Sequence, residues 1–208
     1  MADSSVITDR EIPGADQPVS FLPKPNRIPG NGAVWVGIYA EMTEFALMFL
    51  VYFIAKVFHQ EVFNQGPLQL NTLAGTLNTL ALLTSSFCVA KAVACVRMNR
   101  ITTAIRWLWG TIICAVFYLV VKTWEYYWNI EQGIEIETNL FFTVYYYMTF
   151  NHFLHVGWGG GAILWAIYRL RKGAYSADNH EGLEAIACYW HMIDLVWIII
   201  FPLLYVLR

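Results

Sequence analysis

The sequence is poor in charge. Asp, Glu, Lys and Arg make up 13% of its 208 residues, whereas hydrophobic residues make up 58%. An ordinary soluble domain carries roughly 25% charged and about 45–50% apolar residues. A soluble protein with this composition would expose large apolar patches to water. The composition therefore argues against a soluble globular domain and a disordered chain, and it favours a protein that crosses the membrane several times.

The sequence also lacks an excess of basic charge and a spaced set of cysteines. Its 13 Lys and Arg are outnumbered by 15 Asp and Glu, so no nucleic acid partner is expected, because such a partner requires a basic surface. The four cysteines show no CxxC spacing and lie in or beside apolar segments: Cys88, Cys95, Cys114 and Cys188. This arrangement predicts neither a metal centre nor a disulfide framework, and the cysteines are interpreted as small core residues.

Proline is scarce outside the first part of the chain. Five of the seven prolines lie within residues 1–30, among Asp, Ser and Asn. This predicts a flexible, polar, cytoplasmic tail over 1–30. The tail has no apolar run after a basic start, so a cleavable signal peptide is not expected. The remaining residues, 31–208, are predicted to form one transmembrane domain.

Five long apolar segments make up that domain. The predicted spans are about 33–58, 70–95, 105–128, 139–168 and 185–207. At a rise of about 1.5 Å per residue, each is long enough to cross a hydrocarbon core of about 30 Å. Continuous apolar runs exclude a strand barrel, whose segments alternate. The predicted fold is an all-α membrane protein, a bundle of five transmembrane helices.

The loops differ in charge. Basic residues occur in the tail and in the loops after the second and fourth spans, whereas the loop after the third span carries Glu131, Glu135 and Glu137. Lys and Arg are enriched in cytoplasmic loops. The N-terminus is therefore predicted to be cytoplasmic and the C-terminus to lie outside.

Two glutamates lie three residues apart in the first span. Glu41 and Glu44 share one helix face, and ionisable side chains inside a span are candidate functional residues. Two carboxylates this close in a low dielectric do not readily both ionise. The pair is therefore a candidate proton-holding site. The alternative interpretation is a protonated carboxyl that is hydrogen-bonded to a neighbouring helix.

Histidine occurs in two further pairs with the same spacing. His152 and His155 lie near the middle of the fourth span, where haem ligation, metal ligation and a proton relay are the functional interpretations. His191 and Asp194 lie in the fifth span, where the carboxylate would stabilise a protonated ring or fix its tautomer. For both pairs the favoured interpretation is structural, with hydrogen bonds that join helices where lipid offers no partners.

The third span carries an oppositely charged pair, and the fourth carries a glycine cluster. Lys122 and Glu125 are expected to neutralise each other in part, unless the lysine snorkels towards the interface. The glycines would let another helix or an acyl chain approach closely. They are Gly157, Gly159, Gly160 and Gly161.

Four segments resemble a known family. YWHMIDLVWIIIFPLLY, over 189–205, resembles the YWHFVDVVW signature of the last helix in subunit III of haem–copper oxidases. The matching residues are Tyr189, Trp190, His191, Asp194, Val196 and Trp197. TFNHFLHVGWG resembles the family's TGxHGxHVxxG, and WEYYW resembles its SEYY. AEMTEF resembles its SEVLFF, and this match places Glu41 at the position of the family's membrane carboxylate. Together these segments cover about 33–208.

The resemblance implies an accessory subunit that is not catalytic by itself and belongs to an oxidoreductase complex of the cytochrome c or quinol oxidase type. Haem and copper are then expected in the catalytic subunit I and not in this chain. The expected partners are subunit I, other subunits of the complex, and phospholipids. Glu41 and Glu44 are expected near the proton-uptake and lipid region. The expected location is the bacterial inner membrane.

Five spans match the family's five-helix form, which occurs in quinol oxidases and in a protein associated with nitric oxide reductase. An association with nitric oxide reductase in denitrification therefore stays open as an alternative. The intramembrane carboxylates and histidines are also compatible with a small proton-coupled carrier or with a di-histidine haem protein.

Overall fold

The computed structural model describes residues 32–207, and this part of the chain is helical and contains no strand. Its helices are α1 (Gly32–Phe58), α2 (Gln60–Gln69), α3 (Thr72–Arg97), α4 (Ile101–Glu131), α5 (Leu140–Arg171) and α6 (Glu181–Phe201), followed by a π-helical turn (Pro202–Val206). The all-α prediction is confirmed. The polar tail predicted over 1–30 lies outside the described residues.

Four helices are long and apolar enough to cross a membrane. They are α1, α3, α4 and α6 together with the π-helical turn. Helix α5 has 32 residues and therefore sufficient length. It also contains polar and aromatic side chains and several glycines, which lower its hydropathy, and it is not among the four.

Polar residues and glycines set the helix ends. Asn71 and Asn139 cap α3 and α5, and each side chain accepts a hydrogen bond of 3.1 Å from a backbone N–H in the first turn. Helices α4 and α5 each end near a glycine with a φ of 72°, Gly133 and Gly173, which is a backbone conformation that glycine adopts without strain.

The short helix α2 is not predicted by the apolar pattern. It joins α1 to α3 at the end of the bundle opposite the basic loops, and Phe63, Gly66 and Pro67 are buried there. A Cβ atom at Gly66 would overlap the ring of Phe141 on α5. The absence of a side chain at this position therefore allows α2 to pack closely on α5.

The chain departs from α-helical geometry after Phe201. Pro202 has no backbone N–H, and the N–H of Leu207 donates to the carbonyl of Pro202 at 2.8 Å, five residues back. The Tyr52 hydroxyl on α1 donates to the carbonyl of Leu203 at 2.6 Å. This contact matters because a backbone carbonyl inside a bilayer needs a partner from the protein.

Helix α6 lies at the centre of the bundle and α1 at its edge. Helices α3 and α4 form an antiparallel hairpin, and α6 packs against both α3 and α5. Helix α1 contacts α5 and α6, and it buries only four side chains, which form a narrow stripe: Ile38, Phe45, Met48 and Tyr52. Glu41 and Glu44 of α1 contact α5 in addition to this stripe.

Candidate functional site

Glu41 on α1 contacts His155 on α5. The distance from Glu41 Oε2 to His155 Nε2 is 2.7 Å, and the other ring nitrogen, Nδ1, lies 2.8 Å from the carbonyl oxygen of Asn151. The Glu41 side chain is 34% exposed and that of His155 is 14% exposed. The pair is therefore held between two helices but is accessible from one side.

The two hydrogen bonds of His155 define how many protons the pair holds. A carbonyl oxygen only accepts, so Nδ1 must carry a hydrogen. The contact between Nε2 and Glu41 then contains a single proton, which lies either on the ring as an ion pair or on the carboxyl as a neutral pair. The geometry is therefore that of a hydrogen bond with one proton between a carboxyl and an imidazole.

Glu44 has a different partner. Asn151 Nδ2 donates to Glu44 Oε1 at 2.6 Å, so the two glutamates of α1 bind separate groups one turn apart on α5. The structure does not bring Glu41 and Glu44 together as one proton-sharing pair. Both carboxylates instead join α1 to α5, in addition to the narrow apolar stripe.

Two open cavities flank these contacts. The first, of about 610 Å³, is lined by both members of the Glu41–His155 pair and by Tyr189 of α6. The second, of about 490 Å³, is an almost wholly apolar groove between α1 and α5, and Glu44 is its one charged lining residue. The polar pair therefore borders one cavity, while the other is suited to hydrocarbon.

His152 bridges three helices. Its Nε2 lies 3.1 Å from the carbonyl oxygen of Ile193 on α6, and its Nδ1 lies 2.9 Å from the hydroxyl of Tyr118 on α4. The carbonyl requires a hydrogen on Nε2, so Nδ1 accepts from the tyrosine. Both nitrogens of this fully buried ring are occupied. This geometry favours the structural interpretation of His152 over ligation of haem or a metal.

Lys122 and Glu125 lie at the centre of a closed network inside the bundle. Lys122 Nζ donates to Glu125 Oε2 at 3.1 Å and also to the hydroxyls of Tyr145 at 3.1 Å and Tyr205 at 2.7 Å. These two hydroxyls donate to Glu125 Oε1 at 3.0 and 2.6 Å. The three ammonium protons and both hydroxyl protons therefore have acceptors.

Aromatic rings enclose the same ammonium group. Four ring centroids lie 4.8–5.6 Å from Lys122 Nζ, which is within the range of a cation–π contact. The rings belong to Tyr126, Tyr145, Trp197 and Tyr205. The lysine side chain has no exposed surface, so it does not snorkel.

Polar contacts also join α6 to α3. The indoles of Trp190 and Trp197 donate to the hydroxyls of Ser85 and Thr79, both at 2.9 Å. One residue after Trp190, His191 Nδ1 lies 2.7 Å from the Ser86 hydroxyl. These side chains lie along the part of α6 that packs against α3, and the contacts align the two helices.

Asp194 does not bind His191. It is 3% exposed, and neither carboxyl oxygen has a hydrogen-bond partner among residues 32–207. The Ser86 hydroxyl is its polar neighbour on α3. The sequence spacing pairs Asp194 with His191, but the fold directs the imidazole to Ser86 and leaves the carboxyl without a partner.

Only one member of the glycine cluster is at a close helix contact within the chain. A Cβ atom on Gly159 would lie 2.9 Å from Ile193 and 3.0 Å from Trp190, so α5 and α6 approach each other there. Gly157, Gly160 and Gly161 have no such neighbour among the described residues.

Sequence reasoning did not identify several of the partner residues. Tyr145, Tyr205, Asn151 and Ser86 complete the contacts described above, yet none of them is ionised and none forms a short-range pair along its helix. The sequence does contain an indication for Tyr145, because it lies seven residues before His152 and therefore on the same face of α5.

The arrangement contains polar helix–helix contacts, among them the contact between the Glu41 carboxyl and the His155 imidazole. Within residues 32–207 no group of three His, Cys, Asp or Glu side chains is placed to bind a metal ion. The fold and these contacts define a multi-pass helical membrane protein. Residues 32–207 match the family model described as cytochrome c oxidase subunit III, and the chain belongs to that family.

Relatives of known name agree with this membership. The chain is 32% identical over 173 residues to cytochrome c oxidase subunit 3 of Thermostichus vulcanus, covering 83% of this chain and 84% of that one. It is 34% identical over 171 residues to the protein of that name in Synechocystis, covering 82% and 72%. It is also 27% identical over 183 residues to heme-copper oxidase subunit I+III of Aeropyrum pernix, covering 84% of this chain and 22% of that one.

These findings confirm the resemblance and the prediction of an accessory subunit III of a haem–copper oxidase. The relatives carry the names of oxidase subunits, so the association with nitric oxide reductase is not favoured. Membership in this family, together with several apolar helices, also confirms a multi-pass membrane protein.

Proposed function

We propose that this chain docks in the bacterial inner membrane against a catalytic subunit I, which holds the haem and copper, and that it supports the assembly, stability and proton uptake of that subunit. The observation that carries the proposal is the relative named subunit I+III, in which the matching segment forms 22% of a longer polypeptide. Two subunits that are joined in one chain in one organism are expected to lie side by side when they are separate chains.

A tagged copy tests the docking. Purification of the full-length protein from its native membranes is expected to recover a partner that carries haem, identified by its absorbance spectrum and by mass spectrometry. A tagged chain that comes through mild detergent extraction folded but without a haem-bearing partner would contradict the proposal. Absorbance of haem by the isolated chain would contradict the assignment of haem to subunit I.

The proposed topology has five spans, with the N-terminus in the cytoplasm and the C-terminus outside. Helix α5 is the additional span, the fourth along the chain, because residues 140–168 contain no Asp, Glu, Lys or Arg and α5 packs between α4 and α6. Its polar side chains face protein partners, as the contacts of His152 and His155 illustrate. Low hydropathy is compatible with a span when the polar groups are satisfied inside the bundle.

The proposed role of the Glu41–His155 pair is to hold a proton near the uptake side of the complex. The pair contains one mobile proton, borders an open cavity and lies about two turns into α1 from the predicted cytoplasmic end. A carboxylate and an imidazole that share a proton can accept one from the cavity side and release it again.

The substitution Glu41→Gln tests this role in the assembled oxidase. The amide preserves size and can donate a hydrogen bond to Nε2 of the neutral His155 ring, so assembly is expected to remain intact. Turnover is expected to fall, or inactivation during turnover to become faster, most clearly at high pH, where protons are scarce. Glu61→Gln is the matched control, because Glu61 is exposed on α2. Unchanged turnover and lifetime in Glu41→Gln would exclude a proton role.

The apolar groove between α1 and α5 is proposed to bind a phospholipid acyl chain. Leu47, Val51 and Val144 are among the residues that line it. Leu47→Trp is expected to fill part of the groove and to lower the amount of phospholipid that co-purifies, as measured by lipid mass spectrometry. An unchanged lipid content would show that the groove is not the binding site for the acyl chain.

A further inference from the structure

We infer that a cavity at the basic end of the α3–α6 interface is a proton inlet that ends on Asp194, with His191 and Ser86 as the relay. This site is separate from the Glu41–His155 pair. The inference concerns the chain by itself and does not depend on docking to a catalytic subunit.

Asp194 is the terminus of this path. Its side chain is buried inside the bundle, and both carboxyl oxygens lack a hydrogen-bond partner among the described residues. An ionised carboxylate without a donor is very unfavourable in such surroundings. The group must therefore hold a proton in the folded bundle, and exchange of that proton with water in the folded state needs a route to the surface.

The cavity supplies the outer part of the route. It has a volume of about 250 Å³ and lies between α3 and α6. Arg97 and Glu184 line it at the end of α3 and the start of α6, joined by an ion pair of 2.7 Å, and His191 lines it further along α6. A water molecule takes about 30 Å³, so the volume accommodates several, and the polar side chains that line it are Arg97, Glu184 and His191.

His191 and Ser86 connect the cavity to Asp194. His191 Nδ1 is 2.7 Å from the Ser86 hydroxyl, and Nε2 has no partner among residues 32–207. Asp194 lies three residues after His191 and therefore on the same face of α6, so Ser86 is also its polar neighbour on α3. A proton taken up at Nε2 allows Nδ1 to release one to the serine oxygen. The Asp194 carboxylate, which has no hydrogen bond in this conformation, rotates towards Ser86, and the serine passes its own hydrogen to it. One proton enters, Asp194 becomes neutral, and the ring and the hydroxyl stay neutral.

Ionisable groups on the other elements that pack against α6 are engaged elsewhere. On α5, His152 uses both ring nitrogens, and His155 is paired with Glu41 of α1. In the π-helical turn, the Tyr205 hydroxyl donates to the buried carboxylate on α4. None of these groups offers Asp194 a proton donor, so the relay through Ser86 is the route that the described residues provide.

Infrared spectroscopy of the full-length chain in lipid nanodiscs tests the inlet. The carbonyl stretch of a protonated carboxylic acid is expected in the wild type, and ¹³C-labelling of aspartate is expected to shift it, because Asp194 is the one aspartate within the predicted spans. Asp194→Asn should remove the band. The labelling keeps the assignment testable if that variant does not fold.

Transfer into D₂O then measures access. The band is expected to shift promptly in the wild type. The shift should be slower by about tenfold or more in Ala94→Phe, which narrows the cavity, and in His191→Phe, which interrupts the relay. Ala46→Phe is the matched control, because Ala46 is an exposed alanine on α1. Absence of an aspartate acid band, or equal exchange rates in the wild type and both variants, would overturn the inference.

Discussion

His152 connects three helices through one side chain, and its two bonds differ in kind. Nε2 donates to a backbone carbonyl on α6 while Nδ1 accepts from the Tyr118 hydroxyl on α4. Replacement by leucine would leave the buried Tyr118 hydroxyl unsatisfied, at a cost of about 1–3 kcal/mol, and would remove one hydrogen bond from the Ile193 carbonyl, which keeps its helical partner. His152→Leu is therefore expected to lower the thermal unfolding midpoint markedly, as measured in detergent.

Glutamine is the matched variant for this position. Its amide has one donor and one acceptor group, which suit the Ile193 carbonyl and the Tyr118 hydroxyl. His152→Gln should retain most of the stability that His152→Leu loses. If both variants unfold at the wild-type temperature, His152 is not a structural bridge.

Lys122 and Glu125 are buried charges, and the contribution of each to stability depends on the presence of the other. Removing one partner of a buried pair leaves an uncompensated charge and typically costs about 3–5 kcal/mol, whereas an apolar replacement of both is often close to neutral. Lys122→Met and Glu125→Gln are each expected to destabilise the bundle strongly. The double variant should be less destabilised than the sum of the two single variants.

A double-mutant cycle on the unfolding midpoint and on membrane levels measures this coupling. Thr123 is exposed on the same helix, so Thr123→Ala is the control for the effect that a substitution on α4 has by itself. Strictly additive effects would mean that the ammonium and the carboxylate do not interact, in conflict with the 3.1 Å contact.

Sequence reasoning identifies which residues are unusual but not always which residue each one binds. Glu41, His152 and Lys122 stand out because ionisable groups are rare inside spans. Their partners come from helices that are distant in sequence, and short-range spacing carries no information about them. This is why Glu41 and Glu44 look like one pair in sequence but contact separate groups, and why Tyr205 escapes notice.

At the scale of the helix, the glycines of α5 provide a test of close packing. A methyl group on Gly159 would press against Ile193 and Trp190 of α6, whereas one on Gly161 would have no atom of the described residues within 4 Å. Overpacking of this kind costs about 1–3 kcal/mol, while alanine is otherwise preferred to glycine in a helix by about 1 kcal/mol.

Gly159→Ala is therefore expected to destabilise the bundle, and Gly161→Ala to be neutral or stabilising. Thermal unfolding of the two variants side by side in detergent checks this. Equal effects would show that α5 and α6 are not in close contact at Gly159. A loss of partner co-purification in Gly161→Ala alone would instead identify its open face as an interface.

Helix boundaries are predictable where local chemistry sets them, and less so where tertiary contacts do. Asn71 and Asn139 are caps that can be recognised in the sequence, and both begin a helix in the structure. Helix α2 is not recognised, because its ten residues are too few and too polar for a span. Its packing depends on the fit of Gly66 against Phe141, which only the folded bundle reveals.

For the whole molecule, the topology depends on whether α5 crosses the membrane. Length and hydropathy alone select α1, α3, α4 and α6. With those four spans, the α4–α5 and α5–α6 loops would lie on the same side. With five spans they lie on opposite sides, and the positive-inside rule puts the acidic α4–α5 loop outside. Single residues in the two loops therefore discriminate between the arrangements.

The loops provide two suitable positions, Glu137 and Asp178, which are both exposed. In a chain whose four cysteines are replaced by serine, Glu137→Cys is expected to react with a membrane-impermeant maleimide on intact spheroplasts. Asp178→Cys should react only after permeabilisation, which also verifies that both sites are accessible. Labelling of both positions, or of neither, on intact spheroplasts would mean that α5 does not cross. Labelling of Asp178→Cys alone would mean that all five helices cross the membrane but in the opposite orientation. The fold fixes the order of the helices, whereas the loop charges fix only which end faces the cytoplasm.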